Sequence, residues 1–244
     1  MTELPDGFYK HKEREDALGV LRLLESERPG QPLSTAVTDE LQEIATRGPK
    51  PDAGYEARRQ VGDTLYIKAW PGEEDWYRYA YEEHDLDPTV AHVVCVPAAY
   101  PVAWLVLARQ LDGSGDAEMA RKFAEVSLAL EEHPATLCDL GAMVGAEGEH
   151  ETALGLFARA FDVREDVAPW LKARAALGVG VTLLEDGQLD KAEEAIKVAL
   201  QLEPDSEVAQ HALRYVEEAR GEAGGYISDD TVSDRVADEG SGDE

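Results

Sequence analysis

Small and apolar residues recur three and four positions apart through the middle of the chain, the period of a helix with one buried stripe. In "WLVLARQL", Trp104, Leu107, Ala108 and Leu111 share a face; after Gly115, a second stripe carries Ala120, Ala124 and Ser127. "LCDLGAMV" repeats this with Leu137, Leu140, Gly141 and Val144, and Ala153, Phe157 and Ala160 follow Gly148. "ALGVGVTL" supplies Ala176, Val179, Gly180 and Leu183, then the Asp186-Gly187 turn, then Ala192, Ile196 and Ala199 before Pro204. The pattern predicts three helix–turn–helix pairs.

Two anchors keep the same step. The small residue of the first helix stands at 108, 141 and 180, and the alanine of the second at 120, 153 and 192, so both advance by 33 and then 39. Unrelated amphipathic helices would not hold two anchors in register, so the segment reads as an internal repeat. Gly141 and Gly180 fall in helix interiors, where glycine costs up to about 1 kcal/mol relative to alanine. Close approach of the paired helix, at Ala153 and Ala192, would offset that cost.

With those residues in view, 101–206 resembles the tetratricopeptide repeat (TPR), whose motif runs W-x-x-L-G-x-x-Y, A-x-x-x-F and a closing proline. The consensus tryptophan survives as Trp104, Glu165 replaces the middle closing proline, and about five extra residues fall around "APWLK" (168–172). Asp166 and Pro169 read there as helix-start signals. The resemblance implies a mainly all-α fold, a solenoid of stacked helix pairs whose first helices line a concave groove. Counted from the anchors, that groove holds Leu105, Arg109 and Asp112; Cys138, Ala142 and Gly145; and Leu177, Val181 and Leu184, with Arg174 added. It is mostly apolar with two arginines, and suits a peptide with apolar anchors and a carboxylate. Members that bind chaperone tails hold a terminal carboxylate with Lys and Asn. Here those positions carry Leu105, Cys138, Leu177 and Ala142, so that clamp is absent. Whether the groove is open or covered by the chain's own N-terminal segment stays undecided in the sequence.

The organisation reads as an N-terminal region (1–96), three repeats with a capping helix (97–221) and an acidic tail (222–244) expected to be disordered. Arrays of this kind end in a polar cap, and 206–221 fits one, with Val208, Ala212 and Tyr215 on one face and Gly221 as a stop. The N-terminal region opens with helices at 14–28, carrying Leu18, Leu21 and Leu24 before a Pro-Gly stop, and at 38–48. "DTLYIKAW", "WYRYAYEEHD" and "VAHVVCV" fit strands or helices. Our expectation is helices, with 57–88 a degenerate fourth copy; the β-branched and aromatic content leaves room for some β-structure. The run Trp70, Trp76, Tyr77, Tyr79 and Tyr81 reads as packing for this region, with a recognition surface as the alternative.

Charge narrows the partners. With 23 basic and 51 acidic residues the chain carries −28 at pH 7, a surface that repels phosphate backbones and anionic lipid, so we expect neither nucleic acid nor membrane as partner. No apolar run reaches the ~20 residues of a spanning helix, and the first residues show no signal-peptide core. Cys95 and Cys138 are too few for a disulfide framework, the chain has no asparagine to glycosylate, and a reducing cytoplasm fits. The acidity, with 15 arginines against 8 lysines, fits either a salt-adapted source or codon bias. "EEHD", "EEH" and "EHE" are what composition alone produces, and no phosphate-loop, nucleophile-elbow or zinc-protease motif is present. We therefore assign no catalytic residue, metal or cofactor, and expect a non-enzymatic binding adaptor or scaffold. A small chaperone for exported proteins, a self-associating structural protein, and an enzyme sited in the N-terminal region are the alternatives.

Overall fold

The computed structural model describes residues 4–26 and 31–229. Among them are ten α-helices and three strands in the order α1 (His11–Ser26), α2 (Thr35–Arg47), β1 (Arg58–Val61), β2 (Thr64–Ala69), α3 (Glu74–Arg78), β3 (His92–Pro97), α4 (Tyr100–Gly113), α5 (Ala117–Leu130), α6 (Pro134–Ala146), α7 (His150–Asp162), α8 (Pro169–Glu185), α9 (Leu189–Leu202) and α10 (Glu207–Asp229). The Pro-Gly stop expected at 29–30 and the tail from 230 onward lie outside the described residues. Helix α10 itself runs past Gly221 into the segment read as tail.

The three repeats are α4–α5, α6–α7 and α8–α9. Each first helix has a proline in its first turn (Pro101, Pro134, Pro169), where the missing N–H has no intrahelical partner to lose. Each pair turns at a glycine in the left-handed region, Gly115 (φ +87), Gly148 (φ +83) and Gly187 (φ +72), a third anchor with the 33 and 39 spacing. Ala120, Ala153 and Ala192 are fully buried. A side chain on Gly180 would meet Ile196 at 2.5 Å and the Ala192 carbonyl at 3.2 Å, so the close approach expected there is real. Contacts join α4 to α6 and α6 to α8, which ranges the first helices along one side of the array.

The stretch 57–88 is not a degenerate repeat. Gly62 (φ +63) makes the turn that folds β1 back on β2, and β3 returns parallel to β2 after α3 and a π-helical turn over Tyr79–Glu83. Alternation decides it. Leu65 and Ile67 face Tyr77, Tyr81, Val90 and Val93 in a small core of their own, and the period of two belongs to a sheet. The outer edge of β3 is occupied: Val93 N–H donates to Glu82 Oε1 (2.7 Å) and Tyr9 OH donates to the Pro97 carbonyl (2.9 Å).

Helices α1 and α2 pack at the start of the array, α2 chiefly on α4. The leucine stripe of α1 is not its buried face. Leu18 is exposed, while Glu13, Asp16, Ala17 and Val20 turn inward. Partners explain the rotation: Asp16 accepts from Arg47 Nη2 (2.8 Å) and Tyr100 OH (3.2 Å), and Glu13 pairs with buried Lys68 (2.9 Å). Helix α10 differs similarly from expectation, burying Ala209, Ala212 and Val216 on α9 and leaving Val208 and Tyr215 exposed.

The sheet unit docks on the two loops that join one repeat to the next. At the first, the Trp70 ring stacks on His133 (3.9 Å between centroids), Trp70 Nε1 donates to Glu131 Oε2 (2.9 Å), and His133 Nε2 lies 3.2 Å from Glu73 Oε2. At the second, Asp166 binds Arg58, accepts from Tyr81 OH (3.0 Å), pairs with Arg164 (3.2 Å) and offers its carbonyl to Trp76 Nε1 (2.9 Å). Asp166 is therefore a docking carboxylate and not a helix cap; Ala168 precedes α8 with no side-chain cap. Part of the extra length of the 39-residue step lies in this loop, and the rest lengthens α8 at its start, which has 17 residues against 14 in α4 and 13 in α6.

Candidate functional site

Two clefts open along the α4–α6–α8 face. The first, about 260 Å³, is walled by Leu105 and Val106 of α4, Trp170 and Leu171 of α8, Leu24 of α1 and Trp70 of the sheet unit. The second, about 280 Å³, lies between α6 and α8 over Cys138, Ala142, Gly145, Leu177 and Val181, with Phe157 at its base. Arg174 borders both, and Arg109 borders the first.

A charged bridge separates them. Asp139, almost wholly buried, accepts from Arg109 Nε (2.6 Å) and from Arg174 Nη2, while both guanidinium side chains stay nearly half exposed. The arginines expected to be free for a ligand thus share an internal carboxylate. Two cations on one anion leave one net positive charge, and each guanidinium has five N–H donors, of which Asp139 takes one. The geometry holds both forks in place and leaves donors facing the clefts.

The sequence-derived positions divide between these features. Leu105 and Cys138 are buried and form cleft floors, Leu177 is half-buried, and Val181 is 37% exposed. Leu184 packs in the α8–α9–α10 core and borders neither cleft. Asp112 is exposed and also lines neither cleft. Burial pushes the Cys138 thiol up to about 12, which keeps it protonated and unreactive at neutral pH. His133 is committed on both sides, to Glu73 through Nε2 and, through Nδ1, as acceptor from Ala135 N–H at the start of α6. Among the described residues no group of three or more His, Cys, Asp or Glu side chains is arranged to hold a metal ion, and no helix is long and apolar enough to cross a membrane.

Asp139, Trp170, Trp70 and Leu24 were not singled out as groove residues from the sequence. Asp139 did leave a signal: it is the lone acid in the apolar run "LCDLGAMV", and a buried acid requires a partner. Trp170 sits within the extra residues of the last repeat. Trp70 stood out only as part of the aromatic run and Leu24 only as part of a leucine stripe, and tertiary packing brings both to the cleft.

No protein-family model matches the chain, and no curated protein matches its sequence. Solved structures match in fold. A MamA RS-1 double mutant aligns with TM-score 0.50 at 16% identity, covering 86% of this chain and 86% of its own. The Sgt2 TPR domain from Aspergillus fumigatus gives 0.46 at 16% identity, over 59% of this chain and 90% of that one. YrrB, described as a TPR protein with an unusual peptide-binding site, gives 0.42 at 23% identity, over 47% of this chain and 57% of that one.

Proposed function

We propose that this chain, a tetratricopeptide-repeat solenoid by fold, is a non-enzymatic adaptor that holds a peptide or protein segment along the α4–α6–α8 face. One observation supports the reading: among the described residues the two clefts on that face are uncovered, with Trp170 of the first 40% and Val181 of the second 37% exposed. Among the described residues the N-terminal region meets the array at α4, at α5, at Trp170 of α8 and at two loops, and contributes a wall to the first cleft. Apolar clefts with a few placed polar groups are the usual form of a binding site, and a helix or extended segment laid in a groove uses such anchors. The partner belongs to the proteins of a reducing compartment on this reading.

The test is a library of short random peptides panned on the full chain and on Val181→Asp, which places a charge in the second cleft without touching a core contact. Enrichment of a sequence family on the parent, lost or weakened about tenfold or more on the variant, is the expected outcome. If no family is enriched over an unrelated acidic protein, the adaptor reading fails.

A further inference from the structure

We propose that the groove selects a peptide in which a bulky apolar residue stands beside an acidic one. The apolar side chain enters the first cleft between Trp70 and Trp170, and the neighbouring carboxylate takes the outward N–H groups of Arg109 and Arg174. This rests on the adaptor reading and names the class of partner.

Size argues for a side chain in the first cleft. At about 260 Å³ it lies just under the range of about 300–1,000 Å³ typical of small-molecule sites, room for one leucine- or phenylalanine-sized group and not for a second helix. Its walls are mostly aliphatic or indole, with Glu73, His133 and the two arginines as the polar part, and the Trp70 ring is held rigid by stacking on His133 and by its hydrogen bond to Glu131. A preformed, rigid apolar slot costs little ordering when it is filled.

Charge argues for the acid. Carboxylates outnumber cations more than two to one in this chain, and several of its ion-paired arginines hold two or more of them. Arg121 holds Glu125, Glu147 and Glu149; Arg220 holds Asp190 and Glu193; Arg164 holds Glu131 as well as Asp166. Among the described residues, Arg109 and Arg174 are the pair that depends on one carboxylate between them. An under-neutralised spot therefore sits on the rim of the apolar slot of a protein at −28. Asp139 points both forks toward the cleft, and planar guanidinium forks match a carboxylate in two-point contact. A basic peptide would meet the surrounding negative field and no partner here.

The test pans the same library on the full chain, on the Arg109→Gln/Arg174→Gln variant and on Trp170→Ala, each checked for an unchanged helical spectrum. The expected consensus pairs Leu, Ile, Met or Phe with Asp or Glu. On the double-Gln variant the acid drops out while the apolar residue stays; on Trp170→Ala the apolar preference fades. A synthetic peptide of the consensus weakens about tenfold when its acid becomes the amide, the loss of one charge-assisted contact, and weakens with added salt. A consensus without an acid, or one whose acid survives the double-Gln variant, overturns this inference and leaves the adaptor reading standing. No consensus at all removes both. Tighter binding by a synthetic peptide of residues 230–244 would make the chain's own tail the occupant. Concentration-dependent dimers by light scattering, abolished by the same arginine replacements, would make a second copy the occupant. Either result overturns the proposal.

Discussion

Phe157 shows how one ring sets the distance between helices. It lies between Gly141 of α6 and Gly178 of α8; a side chain on Gly141 would meet the ring at 2.9 Å, and one on Gly178 would fall deep inside contact distance. Gly178→Ala gains up to about 1 kcal/mol of helix propensity but must push apart a packed ring, which costs about 1–3 kcal/mol. Overpacking wins, and a lower thermal midpoint is expected; a midpoint that rises would show the ring can move aside. Asp166 poses the electrostatic counterpart. Burial pushes its carboxyl up, but Arg58 and Arg164 outweigh that and hold it below the usual range. A depressed carboxyl contributes stability above its unfolded value, about 4, and loses it as pH falls through the lower folded value. Asp166→Asn should therefore cost about 3 kcal/mol near neutral pH, since largely buried Arg58 loses its one paired carboxylate and Arg164 the nearer of its two. The gap should narrow below about pH 4, which urea midpoints of both proteins at neutral and acid pH would check. An equal gap at both would assign the loss to geometry instead of charge.

At the scale of elements, what was legible in the sequence was local. Helix pairs α4–α9 announced themselves because glycine turns and apolar stripes lie within one repeat of each other, and two anchors kept step. The strands did not. "DTLYIKAW" and "VAHVVCV" pair in parallel across α3, with Thr64 opposite His92 and Ala69 opposite Pro97, and nothing within either segment names the other. The rotation of α1 was hidden for the same reason: Asp16 and Glu13 face inward only because Arg47, Tyr100 and Lys68 are there to meet them. Of the candidate groove, the small and apolar floor was readable from the repeat step, whereas the tryptophan wall came from residues that tertiary packing alone brings near. Helix α10 makes a prediction of this order. A chain ending at residue 206 leaves the Ala192, Ile196 and Ala199 face without Ala209, Ala212 and Val216. It should unfold at lower temperature and bind a hydrophobic dye, since a solenoid end needs a cap. Unchanged melting would mean α9 closes the array unaided.

For the whole molecule, net charge and local pairing pull in opposite directions as salt is added. Exposed ion pairs weaken, each by a fraction of about 1 kcal/mol, while the mutual repulsion behind a charge of −28 is screened. Between about 0.01 M and 0.15 M salt the Debye length shrinks from about 30 Å to about 8 Å, shorter than the span of the array, so relief of repulsion should dominate. The thermal midpoint is expected to rise over that range. A fall would mean that the surface pairs, such as those of Arg121 and Arg220, outweigh the global field.

The sheet unit grips both loops that join one repeat to the next, one at Glu131–His133 and the other at Arg164–Asp166, on the flank of the same repeats that hold both clefts. A solenoid joined only neighbour to neighbour can change its pitch like a coil spring, and any groove along it widens and narrows with that motion. A brace fastened at two adjacent rungs removes this freedom over the middle of the array. The spacing from slot to arginine bridge to second cleft is then a fixed gauge: a partner must arrive with its anchors already at that interval, and one out of step by a residue cannot be accommodated by stretching the coil.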